Sequence, residues 1–216
     1  MSEYFDIRDW DGNRTGEMKE RELVHRDGDI HGTAHVWVIR SNKETCRPEV
    51  LLQKRSKEKD IFPGCFDVSA AGHLGAGEDF PEAAVRELKE ELGLEIKPEE
   101  LERLFLNQET VRRTFHGKKV YDREVSAVYV LIKDVPAESL RLQKEEVESV
   151  EWMDMEKCRE LMDGRKELFC VHPGEYTRIM DYADKMLPHE LSPTWNEDCL
   201  SELDEWIESQ GIYIRQ

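Results

Sequence analysis

Glu87, Glu90 and Glu91 stand at i, i+3 and i+4, a spacing that places three carboxylates on one face of a helix. Like charges so arranged repel by a few tenths of a kcal/mol per pair, and a bland surface helix offers nothing to offset that cost. A hard divalent cation does. Mg²⁺ or Mn²⁺ takes carboxylate oxygens, keeps several waters and bridges substrate phosphates. The same run, Phe80 to Leu92, carries Ala84, Val85, Leu88 and Leu92 within one arc of roughly 100°, a core face. Glu91 falls about 70° from the middle of that arc, closer than a solvated acid needs to be. Just before the helix, Gly72, Gly75 and Gly77 leave room for backbone to approach a metal or phosphate where a Cβ would obstruct it.

These residues resemble the Nudix box: Gly, five residues, Glu, seven residues, Arg-Glu-apolar, one residue, Glu-Glu, one residue, Gly-apolar. Gly72, Glu78, Arg86, Glu87, Leu88, Glu90, Glu91, Gly93 and Leu94 fill every fixed place. From the chain's own residue frequencies, a chance match is on the order of one in a million. The resemblance implies metal-dependent hydrolysis of a diphosphate linkage, in a nucleoside diphosphate derivative or another organic diphosphate, with Mg²⁺ or Mn²⁺ as cofactor. It makes Glu90 and Glu91 metal ligands, with the Gly72 carbonyl as a further one. Glu87 either ligates metal or accepts a proton from the attacking water. Arg86 and Glu78 form a pair that orients these acids, with a purely structural ion pair as the competing reading.

A second likeness reaches further along the chain. His25-x5-His31, Phe62-Pro63-Gly64, Ala71-Gly72-His73 and Asp122-Arg123-Glu124-Val125 resemble parts of type I isopentenyl-diphosphate isomerase, which shares the Nudix fold. By that likeness His31, His73 and Asp122 are additional metal ligands; Glu124, a carboxylate in a strand-like run, is by the Nudix resemblance a distal ligand or general base. The competing readings are satisfied structural histidines and a solvent-facing strand acid. The isomerase carries a cysteine immediately before its Gly-His, and Ala71 stands there instead; Cys65 is six residues away in another local context. A methyl group cannot do thiol chemistry, so isomerisation at carbon is disfavoured. A non-catalytic Nudix module that binds a nucleotide or a partner is the other alternative. His35, inside an apolar run, reads as a buried or strand-face residue.

The elements that must carry these groups read as strands at 3–8, 35–39, 49–52, 66–71, 101–115, 119–132 and 147–153. Helices read at 80–92, 154–162, 175–187 and 197–209. Asp79 is the expected N-cap of 80–92, with Pro81 in its first turn and Gly93 just past its end. Residues 17–25 are too charged to assign. Strands, one central helix, more strands and terminal helices predict an α+β fold. The resemblance narrows it to an α/β/α sandwich with a mixed sheet. The expected organisation is an N-terminal extension (1–29), a Nudix domain (30–165) and a C-terminal helical extension (166–216).

In 216 residues, 31 Lys+Arg against 48 Asp+Glu leave a net charge of −17. Such an excess opposes binding to nucleic acid or an anionic membrane, and a bound metal would explain how it accepts an anionic substrate. No apolar run is long enough to span a bilayer. The acidic N-terminus lacks the basic and apolar regions of a signal peptide. Five scattered cysteines without a C-x-x-C pair read as reduced thiols. The expectation is a cytoplasmic protein acting on a small-molecule diphosphate, with a homodimer expected by fold-level analogy alone. Trp195 and Trp206 read as core of the C-terminal helices or as part of a dimer contact.

Overall fold

A computed structural model describes residues 2–59, 61–115, 118–170 and 173–187. The chain opens with an antiparallel pair, β1 (Tyr4–Arg8) and β2 (Arg14–Glu20), followed by helix α1 (Arg21–Asp27). The charged stretch 17–25 thus divides between a strand end and a helix. Most of β2 is exposed on both faces, so no apolar alternation marks it.

The main sheet has seven strands: β3 (Ile30–Ser41), β4 (Pro48–Arg55), β5 (Phe66–Asp67), β6 (Ala70–His73), β7 (Glu102–Phe115), β8 (Lys118–Ile132) and β9 (Val147–Asp154). β3 and β8 run parallel from Ile30 beside Arg123 to Ile39 beside Ile132, and the other pairings are antiparallel. β3 is the hub: Thr33–Val36 pair with β6, and Val38–Ser41 pair with β4. The run expected at 66–71 therefore splits, β5 joining β4 and β6 joining β3. Ser69 bridges the split by donating to the Leu51 carbonyl at 2.5 Å and accepting the Val38 N–H at 2.7 Å.

Strand alternation sorts the core into two layers. Ala34, Val36, Val38, Leu51, Val125, Ala127, Tyr129 and Leu131 face helix α2 (Phe80–Leu92), which contributes Phe80, Ala83, Ala84, Leu88 and Leu92. Trp37, Ile39, Leu52, Val128 and Val130 face α3 (Met155–Gly164) and α4 (Pro173–Met186), which contribute Met155, Cys158, Tyr176, Ile179, Met180 and Ala183. The result is the expected α/β/α sandwich. Val85, assigned to the core face, is only half-buried and Ala83 is buried instead, because the buried arc of α2 is rotated toward Glu91. At the helix ends, the Asp79 N–H donates to Glu82 at 3.1 Å and Gly93 adopts φ 66°. The helix expected at 197–209, Trp195 and Trp206 lie outside the described residues.

Candidate active site

The loop between β6 and α2 is tied to the helix by Arg86. Its guanidinium donates to the two Glu78 oxygens at 2.8 and 3.0 Å and to the His73 carbonyl at 2.9 Å. It also donates to Glu87 at 2.6 Å and to Glu90 at 3.0 Å. Glu78 in turn accepts the Gly75 N–H at 2.9 Å. The fork geometry of arginine lets one side chain hold a loop acid, a strand-end carbonyl and two helix acids at once. A Cβ on Gly72 would overlap the Glu87 carboxylate, so glycine here is what lets that carboxylate lie against the strand.

Glu91 points into the molecule and is 6% exposed. Its Oε2 accepts the Ala71 N–H at 3.1 Å and a Gln53 side-chain N–H at 3.2 Å. Burial, reinforced by Glu87, pushes its carboxyl up to about 8. Glu87 is raised as well, burial outweighing the adjacent Arg86. Two carboxyls whose charge the fold disfavours stand beside a third, Glu90.

A second cluster forms where β3 and β8 lie in parallel register, His31 beside Glu124. His31 Nε2 is 3.3 Å from His25 Nε2, 3.4 Å from Asp122 Oδ1 and 3.9 Å from Glu124 Oε1. His73 Nε2 lies 3.3 Å from Glu124 Oε1 without the geometry of a hydrogen bond, and it and Asp122 Oδ1 are buried atoms with no hydrogen-bond partner. The Phe5 ring of β1 stacks on His31 and His73, with centroids 5.3 and 4.9 Å away. Burial lowers His25 to about 3 and His31 to about 4, with neighbouring His73 adding to both. Burial and Glu124 raise Asp122 to about 7. Burial would raise Glu124 too, but His73, His31 and His35 outweigh it and hold that carboxyl at about 2. Neutral imidazoles beside carboxylates, in two groups that share His31 (His25, His31 and His73; His31, Asp122 and Glu124), are a donor set suited to a cation.

Both clusters open on one cleft of about 760 Å³. Gly72, His73, Arg86, Glu87, Glu90, Glu91, Asp122 and Glu124 line it. Glu78 stands behind Arg86, and His31 is fully buried behind the cleft wall. Cys65 turns toward the Glu167 carbonyl at 3.5 Å. The residue that carried no sequence signal is Glu175 of α4, which lines the cleft and meets His35 and Trp37, 140 and 138 residues earlier. His35, read as a strand-face residue, lines the cleft as well. No helix among the described residues is long and apolar enough to cross a membrane.

The chain matches the family model described as a NUDIX domain over residues 30–170. It is 38% identical over 184 residues to Nudix hydrolase 3 of Arabidopsis thaliana, an alignment covering 83% of this chain and 23% of that longer protein. It is 25% identical over 190 residues to an isopentenyl-diphosphate Delta-isomerase of Aliivibrio fischeri, covering 86% of this chain and 99% of the isomerase. A crystal structure of a Deinococcus radiodurans protein shares the fold, with a TM-score of 0.52 at 20% identity over 75% of this chain and 90% of that one. The complete acidic motif, the sandwich that displays it and the family match agree: the chain belongs to the Nudix hydrolase family.

Proposed function

We propose that this protein is a Mg²⁺- or Mn²⁺-dependent hydrolase that cleaves a diphosphate linkage in a nucleoside diphosphate derivative or another organic diphosphate. The observation that supports it is the convergence of Gly72, Glu87, Glu90 and Glu91 on one wall of the cleft, two of the acids being raised by their surroundings. Raised, mutually repelling carboxyls are what a hard cation would relieve. Glu90, Glu91 and the Gly72 carbonyl would hold it. When bound, such a cation neutralises phosphate charge and makes a water molecule nucleophilic near neutral pH. Glu87 either completes the ligand set or takes the proton of the attacking water. Arg86 keeps Glu87 and Glu90 at the mouth of the cleft and Glu78 anchors Arg86, so this pair sets geometry.

His25, His31, His73, Asp122 and Glu124 supply a second cation position on the far wall. Ligand atoms around an octahedral ion sit about 3 Å apart, close to the His31 contacts of 3.3 and 3.4 Å. Glu124, held ionised, suits ligation there, with the role of base open to it when a water lies against it. The side chain at position 71 is a methyl group lining the same cleft, which leaves carbon-centred isomerisation without its thiol.

The test is phosphate release with Mg²⁺ and Mn²⁺ over nucleoside triphosphates, nucleotide sugars, dinucleoside polyphosphates, CoA and isoprenyl diphosphates, with NMR watching the isoprenoids for double-bond migration. Turnover abolished by chelator and by Glu90→Gln/Glu91→Gln, with the fold intact, is the expected result. Undiminished release by that double variant would sink the assignment, and silence of the wild type across the panel would favour a binding module.

A further inference from the structure

Helix α4 begins three residues beyond the span matched by the family model, yet it delivers a carboxylate to the cleft. Glu175 is 2% exposed. Its Oε1 accepts the Trp37 indole N–H at 2.7 Å, and both of its oxygens lie 3.1 Å from His35 Nδ1. A buried ion pair of this kind adds little stability that well-packed apolar residues could not supply. What it does supply is orientation. With Nδ1 held by a carboxylate, the ring cannot turn, Nδ1 keeps its proton and Nε2 is the nitrogen left for another partner.

The position of that ring is informative. His35 pairs with Ala71 across the β3–β6 ladder, and both line the cleft. Strand alternation puts the His35 and Ala71 side chains on the α4 face of the sheet, while the Ala71 N–H binds Glu91 from the α2 side. Glu175 from α4, Glu124 from β8 and Asp67 from β5 face the ring. Burial alone would lower the imidazole, but Glu175 first, then Glu124 and Asp67, outweigh it and raise the ring to about 9. At neutral pH the floor of an otherwise acid-rich cleft therefore carries a fixed cation.

Resting on the hydrolase reading above, we propose that His35, oriented by Glu175, donates from Nε2 to a non-bridging phosphate oxygen of the substrate and so selects for a diphosphate group. Glu175 is the positioning residue; His35 is the one that touches substrate. The small methyl of Ala71 leaves the space beside the ring open to that oxygen.

The probe is methylenediphosphonate, a diphosphate mimic that cannot be hydrolysed, added with Mg²⁺ to the full chain. The His35 ring N–H resonances are assigned by their loss in His35→Asn. Saturation should shift the Nε2–H signal, and His35→Asn should bind the probe about 10-fold or more weakly, with binding of Mg²⁺ alone unchanged. With a turned-over diphosphate the same variant should raise KM by a similar factor and leave kcat within about threefold. Glu175→Gln should lower affinity for the probe at pH 8.5 and regain part of it as the pH is lowered, a dependence that a merely structural role would not create. If Glu175→Gln does not fold, the wild-type spectrum and His35→Asn still decide. An unmoved Nε2–H signal, or wild-type affinity in His35→Asn, overturns the inference. A shifted signal in a protein that hydrolyses no diphosphate upholds phosphate recognition by His35 and overturns the hydrolase reading instead.

Discussion

The burial of Glu91 makes stability depend on pH. An unfolded Glu91 loses its proton near the ordinary glutamate value of 4.5, while the folded one holds it to about 8. Between those values the native state binds the extra proton, so the metal-free protein loses stability as pH rises through that window. Glu91→Gln keeps the shape and removes the charge. Its stability advantage over the metal-free wild type should widen by on the order of 2 kcal/mol between pH 5.5 and 8. Urea titrations in EDTA at the two pH values measure this, and a pH-independent gap would refute it. The same variant should lose the rise in melting temperature expected of the wild type in Mg²⁺. A site that is costly without its ligand is the expected signature of function kept at the expense of stability.

At the scale of elements, the β6–α2 junction depends on one missing Cβ. Gly72→Ala must push the Glu87 carboxylate aside, and a shift of about 1 Å in a reacting group can cost 100-fold. Activity should therefore fall by roughly two orders of magnitude with the helical circular-dichroism signal retained, and wild-type kcat in Gly72→Ala would show that Glu87 is not needed where it stands. Helix α4 makes the opposite kind of contribution. Read as an extension, it supplies fully buried Ile179 and Ala183 to the same core as Trp37 and Val128. Ile179→Ala should cost about 2–5 kcal/mol in denaturant unfolding; a cost below about 0.5 kcal/mol, as for a surface site, would mean α4 is not part of the cooperative unit.

Over the whole molecule, a net charge of −17 makes the compact state repel itself. The α2 acids, with Asp122 and Glu124 across the same cleft, concentrate that repulsion. Saturating Mg²⁺ should stabilise the fold by about 2.7 kcal/mol at 100 times its dissociation constant. Calorimetry in Mg²⁺ against EDTA, at constant ionic strength set with NaCl, separates binding from general screening. Equal melting temperatures in the two buffers would remove the metal from the account.

The acidic face of α2, its caps and the nine motif places were legible in the chain because they depend on distances of a few residues along one helix and its loop. The long strands at 101–115 and 119–132 were legible for the same reason, each carrying its own local pattern. The charged β2 and α1 bury too little to leave an apolar period, and the division of 66–71 was decided by competition between β3 and β4 for partners. The assembly of His25, His31 and His73 with Asp122 and Glu124 required the β3–β8 register, which joins segments some 90 residues apart. Glu175 reached His35 only through the packing of α4 under the sheet. Spacing along one element determines which groups can act together locally, whereas strand register and layer packing determine which distant groups meet, and those follow from the burial of the whole core at once.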